Sequence, residues 1–404
     1  MPRFQPFRGL RYGHLTDVGA VAAPPYDVIH DGEREALEAL ETHNAVRLIL
    51  PRESEHGDGY ATAAALLRAW RTEGVLATDD TAAFYGYRMA FTDTHGHARV
   101  THGVIGALGL PPDGPGTGDI LPHERTISKH RTDRLSLLTS TRANLDPIWG
   151  LTPAHVAPLV GEPGPDAQTA ADPAGVHHTL WAITEPERVR AIADAVAADP
   201  LVLADGHHRF ETACAYWSEH PDDVGASAIM TLVVELAEEE LWVAPIHRLV
   251  IGSANLRDRL AEYFAVEPCG PTTPASVAAL EDAMATTGAL GFADATGVAL
   301  LRARPEKVAG PLEAEPVEVR NTDAAMFEAV VLPLLAQATL EFRHDAVALA
   351  AAVTRGDADA VVLLRPVEVA DIRSASYAGV RMPQKTSFFA PKPRTGLVFR
   401  SLDD

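Results

Sequence analysis

Between residues 178 and 250 the chain alternates apolar runs of strand length with amphipathic runs of helix length. HTLWAI (178–183), PLVLA (200–204), ASAIMTLVVEL (226–236) and LWVAPIHRLV (241–250) read as strands. EPERVRAIADAVAA (185–198) and RFETACAYWSEH (209–220) repeat their apolar residues at helical spacing. An amphipathic helix must bury its stripe against a neighbouring layer, and strand–helix–strand–helix–strand is the order that does so in an α/β unit. The expected class is therefore α/β, mixed with α+β regions on either side. At 404 residues the chain is too long for one ordinary core.

The flanks are divided on the same grounds. Residues 1–150 read as an α+β region, with helices at 31–44 and 59–74 and two strands, 83–91 and 98–110, around the turn DTHGH. In the second helix Ala63, Leu66, Leu67 and Trp70 fall on one face. PPDGPGTGD (111–119) is a loop on turn chemistry. Residues 151–252 form the α/β core, with the Pro/Ala/Gly-rich stretch 151–176 as a surface excursion. Residues 253–357 read as an accessory α+β region: helices at 256–266, 275–288 and 326–338, strands at 288–294 and 298–304. Residues 358–404 supply a strand, 359–369, and a basic arm containing MPQKTSFF.

Charge narrows the function. Thirty-four Lys and Arg against 55 Asp and Glu leave a net charge of −21, with no basic run to neutralise a nucleic-acid backbone. A local basic pocket in an acidic chain suits a small anion instead. No stretch is long and apolar enough for a membrane span, and the N-terminus lacks the apolar core of a signal peptide. Two cysteines, Cys214 and Cys269, make neither a disulfide framework nor a zinc knuckle, so a reducing cytoplasm is expected.

Four clusters carry chemistry. In LADGHHRFETA the apolar strand ends in Asp205, and Gly206 lets backbone approach a ligand closely. The following helix start points free N–H groups and its partial positive charge outward, beside His207, His208 and Arg209. That is an anion site, most simply for phosphate, with Asp205 placed for a hydroxyl, an amine or Mg²⁺. LPHERTISKHRTDRL (121–135) offers His123 and Glu124 as an acid/base pair, and Lys129 and Arg134 for an anion. It is not HExxH, which excludes the zinc-protease reading. RMPQKTSFFAPKPRTGLV (381–398) brings Lys385, Lys392 and Arg394, but lacks the glycines of a Walker A loop. APPYDVI (23–29) fixes Tyr26 and Asp27 behind two prolines.

APPYDVI, LPHERT, ADGHHRFETA and RMPQKTSFFAPK, in this order, resemble the bacterial and archaeal proteins called domain of unknown function 1015. ADGHHRFETA also resembles the DGHHR-type phosphate-binding motif of the ParB/sulfiredoxin superfamily, which includes free-serine kinases. The resemblance implies a ParB/sulfiredoxin-like core and serine phosphorylation, with Gly206, His207, His208 and Arg209 on the donor phosphates and Asp205 at the acceptor. The pattern is broken in two places: Phe210 stands where Tyr is common, and QKTSFF inverts the Ser–Thr order of the usual motif.

The expected function is a phosphotransferase acting on an alcohol. Free L-serine is the acceptor and ATP, ADP or pyrophosphate the donor. Mg²⁺ joins the 206–209 turn in neutralising the donor, and Asp205 is its expected ligand. Glu124 or Asp205 takes the acceptor proton, and Lys385 stabilises the moving phosphoryl group. His123, Tyr26 and Asp27 are expected at the substrate; Lys129 and Arg134 help hold the donor. A homodimer is compatible with this reading. Rival readings are a ParB-like nucleotide- or DNA-binding regulator, which the charge disfavours, and a phosphatase or nucleotidase using the same anion site.

Overall fold

A computed structural model of the chain describes residues 1–404 apart from 14–16, 31, 54–57, 95, 126–130 and 336. It divides into two units, the first made of 1–122, 126–242 and 391–404, the second of 123–125 and 243–390. The class is mixed α/β, as expected, and no helix among the described residues is long and apolar enough to cross a membrane.

The first unit is built on a mixed sheet. Its strands run, edge to edge, Ile120–Pro122, Leu201–Asp205, Ile148–Thr152, Ala228–Glu235, Ala98–Gly109, Phe84–Thr92, His177–Ile183 and Gln168–Ala171, with Phe4–Gln5 pairing beside Ala98–Gly109. Two pairings are parallel: Leu201–Asp205 with Ile120–Pro122, and Ala228–Glu235 with Ile148–Thr152. The three strands of the expected strand–helix–strand–helix–strand run are therefore not neighbours. Ile148–Thr152, whose last two residues fall in the expected 151–176 excursion, lies between two of them. Its five residues are all buried, as is every residue of Ala228–Glu235, and strands covered on both faces read as continuous apolar runs.

Helices Pro186–Ala197 and His207–Glu219 bury Ile192, Val196, Phe210, Ala213 and Cys214 against this sheet. A second core gathers Leu10, Trp70, Leu137 and Phe399 around helices Gly59–Thr72 and Arg131–Thr141. Phe399 is fully buried, its amide bonded to the Leu10 carbonyl at 2.9 Å. The end of the chain is thus a packed part of this unit. Nor is 151–176 merely a surface excursion: it holds the short helix Ala157–Val160 and the edge strand Gln168–Ala171, with Val156 and Val160 fully buried.

The second unit carries an antiparallel six-stranded sheet in the order Phe264–Gly270, Gly297–Ala303, Leu290–Asp294, Ala360–Leu363, His247–Ile251, Thr339–Arg343. Helices Pro274–Thr287 and Ala346–Arg355 cover one face through Leu280, Met284, Leu349 and Val353. Leu260, Phe292, Val308, Phe327 and Val331 fill the other. Three sequence expectations are corrected here. The helix expected over 256–266 stops at Leu260, and Phe264–Gly270 is a strand. The strand expected over 359–369 ends at Leu363 before Arg365-Pro366, and Val369–Tyr377 is helical. The 326–338 helix begins at Asp323 and loosens into a π-helical stretch, Phe327–Val331, and then a 3₁₀ turn, Leu332–Leu335.

Candidate active site

Strand Leu201–Asp205 hands over to helix His207–Glu219 through one residue, Gly206, at φ 85°. A left-handed residue costs an L side chain about 1–2 kcal/mol, and glycine nothing. Space demands glycine as well: a Cβ there would lie 2.7 Å from Ile148 Cγ2. Gly206, at the helix start, has no side chain with which to cap it. His207 is buried, and His208 is half-buried.

Asp205 gathers cations. Its Oδ2 accepts from Arg209 Nη2 at 3.1 Å, and its Oδ1 accepts from the Lys392 ammonium. Burial would push this carboxyl up, but Lys392 and Arg209 outweigh it and hold it at about 2. Arg209 is fixed further by Nη1 donating to the Pro147 carbonyl at 2.8 Å. The Arg209 and Arg134 guanidiniums lie 5.9 and 4.2 Å from the centroid of the Tyr26 ring. Arg134 is buried and donates to the Ile49 carbonyl and to Asp133. Tyr26, Asp205, Arg209 and Arg134, singled out on separate sequence motifs, therefore stand in one group. Asp27, on the same 3₁₀ turn as Tyr26, is exposed, and its charge is felt by Arg209.

The sequence reading missed Asp146. It is 7% exposed, accepts from the Thr395 hydroxyl, and lines a cavity of about 50 Å³ with Arg134, Arg209 and Thr212. Burial pushes its carboxyl up to about 6, against the pull of Arg209 and Arg134. In NLDPIW it reads as an ordinary Asp-Pro turn, and nothing local marks it. Lys392, named in the sequence only as one of three cations of RMPQKTSFFAPKPRTGLV, has its partner 187 positions away.

The remaining residues lie in the second unit. His123 Nε2 is 2.6 Å from Ser387 Oγ, and Glu124 accepts the Thr386 amide at 3.3 Å. Lys385 is exposed, with a φ of 55°. Lys129 lies outside the described residues.

Asp205 does not fit the Mg²⁺ expected there. Both of its oxygens are held by cationic side chains. Among the described residues no three His, Cys, Asp or Glu side chains gather as metal ligands.

Comparison with solved structures returns distant likenesses. A free serine kinase in complex with AMP is 12% identical, covering 74% of this chain and 90% of its own, at a TM-score of 0.37. A conserved hypothetical protein from Pyrococcus furiosus is 14% identical over 75% and 96%, at 0.38. SbnI with C-terminal truncation, from Staphylococcus aureus, is 11% identical over 72% and 85%, at 0.37. No curated protein matches the sequence. The family model described as "Protein of unknown function (DUF1015)" matches residues 4–325, and the chain belongs to that family.

Proposed function

We propose that this chain is a small-molecule phosphotransferase that moves a phosphoryl group from ATP, ADP or pyrophosphate to free L-serine. One observation carries the reading. The helix start after Gly206 stands beside Arg209 and Lys392, two cations held together by one carboxylate. Phosphoryl transfer asks a protein mainly for positioning and charge neutralisation. Backbone amides at a helix start with a guanidinium and an ammonium supply both. The choice of serine rests on the resemblance of ADGHHRFETA to the motif of free-serine kinases.

In this reading Gly206, His207, His208 and Arg209 take the donor phosphates, and Arg134 adds to the field behind them. Asp205 keeps Arg209 and Lys392 in place. A carboxyl held at about 2 is a weak proton acceptor, so Asp205 is not the base. Asp146, raised to about 6, loses its proton just below neutral pH and suits that role. Tyr26 and Asp27 stand on the acceptor side. Glu124, the base expected from the sequence, is the rival to Asp146, and Lys385 the expected phosphoryl-stabilising cation; turnover of Glu124→Gln against Asp146→Asn decides between the two carboxylates, and Lys385→Met tests the cation.

The test is a donor-by-acceptor matrix with purified protein, followed by phosphorus NMR. An O-phosphoserine resonance with one of the three donors supports the reading. Release of inorganic phosphate without any acceptor, and no phosphoserine, makes the chain a hydrolase instead.

A further inference from the structure

The second unit contains a serine–histidine pair that the reaction above does not use. Ser387 Oγ lies 2.6 Å from His123 Nε2, within the reach at which a base activates a hydroxyl. His123 is fully buried and its ring stands edge-on to Phe389, centroids 5.9 Å apart at 72°. Backbone bonds lock it in register: the Met382 amide donates to the His123 carbonyl at 2.8 Å, and the Arg125 amide to the Met382 carbonyl at 3.1 Å. The Glu124 carboxylate is 3.7 Å from the same Nε2, close enough to stabilise an imidazolium once it forms.

The serine is presented on an over-determined loop. Buried Arg248 donates to the carbonyls of Gln384 and Lys385 at 3.4 and 3.0 Å. Thr386 donates its hydroxyl to the Pro383 carbonyl at 2.7 Å and its amide to Glu124. Lys385, between these anchors, is one of three non-glycine residues of positive φ among those described. Strain of this kind persists only where the surroundings impose it. Here it sits two residues before a half-buried serine on a histidine, and puts an exposed ammonium at the same loop.

We propose that Ser387, with His123 as its base, is a nucleophilic serine that accepts a phosphoryl group. The Ser387 Oγ–H proton passes to His123 Nε2, an Oγ–P bond forms, and the bond from phosphorus to the donor's leaving oxygen breaks. The leaving phosphate or nucleotide carries the electron pair away. Phosphoserine at position 387 results, with the Lys385 ammonium next to its new charge. That the electrophile is phosphorus rests on the phosphotransferase reading; that the serine is activated rests on the pair itself.

Two probes on the full chain test this. A fluorophosphonate reports nucleophilicity whatever the natural donor is. Pyrophosphate, ADP and ATP, each without acceptor, report phosphoryl acceptance, read by peptide mass spectrometry. The expected result is fluorophosphonate on Ser387, and one phosphoryl group on the same residue with at least one donor. Both vanish in Ser387→Ala, and both slow roughly a hundredfold or more in His123→Gln, as loss of a general base does. Wild-type labelling needs no variant, so a misfolded His123→Gln cannot conceal failure. Absence of label on Ser387, or label without phosphoryl transfer from any donor, overturns the proposal. If Ser387→Ala makes O-phosphoserine from free serine at the wild-type rate and no phosphoenzyme forms in the wild type, this inference falls while the kinase reading stands. If no donor phosphorylates either the protein or serine, both fall.

Discussion

Asp146→Asn separates a structural carboxylate from a proton acceptor. Folding buries Asp146 and moves its carboxyl from an ordinary 3.8 to about 6. A carboxyl whose pKa rises on folding binds its proton more tightly in the folded chain. The stability it contributes is complete below about 3.8 and is lost as pH climbs through about 6. At 1.36 kcal/mol per pKa unit, keeping Asp146 ionised costs about 3 kcal/mol at pH 8. At pH 5 the same linkage leaves about 1.5 kcal/mol of that cost. Asparagine keeps the shape and the acceptor for the Thr395 hydroxyl and removes the charge. Asp146→Asn should therefore be more stable than wild type at pH 8, and its advantage should shrink by about 1.5 kcal/mol at pH 5. Urea unfolding of both proteins at the two pH values measures this difference free of the many other groups that titrate in both. Turnover should fall about 10²- to 10⁴-fold in the same variant if Asp146 takes the acceptor proton. A stability difference independent of pH, or one favouring wild type more at pH 8, would show that Arg209 and Arg134 cancel the effect of burial and leave the carboxyl unraised, too weak a proton acceptor for the role.

Three further outcomes follow from the same geometry. Gly206→Ala should lose about 2–4 kcal/mol in urea unfolding, from left-handed strain and the clash with Ile148, and should weaken donor binding with it. Arg209→Ala should weaken donor binding by roughly ten- to over a hundredfold, the worth of a charged hydrogen bond, while the far-ultraviolet circular dichroism stays that of wild type. Lys392→Met frees one oxygen of Asp205 and removes the cation that most opposes its burial. The Asp205 carboxyl should rise, and NMR titration of carboxyl-labelled protein should show it; a signal still fixed at about 2 would mean that Lys392 does not hold it down.

The legible parts were those set by local pattern. The four apolar positions of Gly59–Thr72, the hairpin of Phe84–Thr92 with Ala98–Gly109, and the strand-to-helix turn at Gly206 each follow from residues within a few positions of one another. What was misread is set by distant partners. LRDRLAEYFAV has helical spacing, yet after Leu260 its continuation pairs with Gly297–Ala303, and sheet hydrogen bonds override weak propensity. Ile148–Thr152 is a strand because it fills the gap between Leu201–Asp205 and Ala228–Glu235. The site divides the same way. The motif glycine, Arg209 and Tyr26 announce themselves. Asp146 and the Lys392–Asp205 contact do not, because their chemistry exists only once residues up to 249 positions apart are packed together.

The most direct measurement is calorimetric titration of wild type, Arg209→Ala and Lys392→Met with pyrophosphate, ADP and ATP. The account predicts that at least one donor binds wild type, and that both variants lose roughly tenfold or more of that affinity, since each removes a charged partner of the phosphate. Equal donor affinity in all three proteins would contradict it, and would move the phosphate site away from the turn at Gly206.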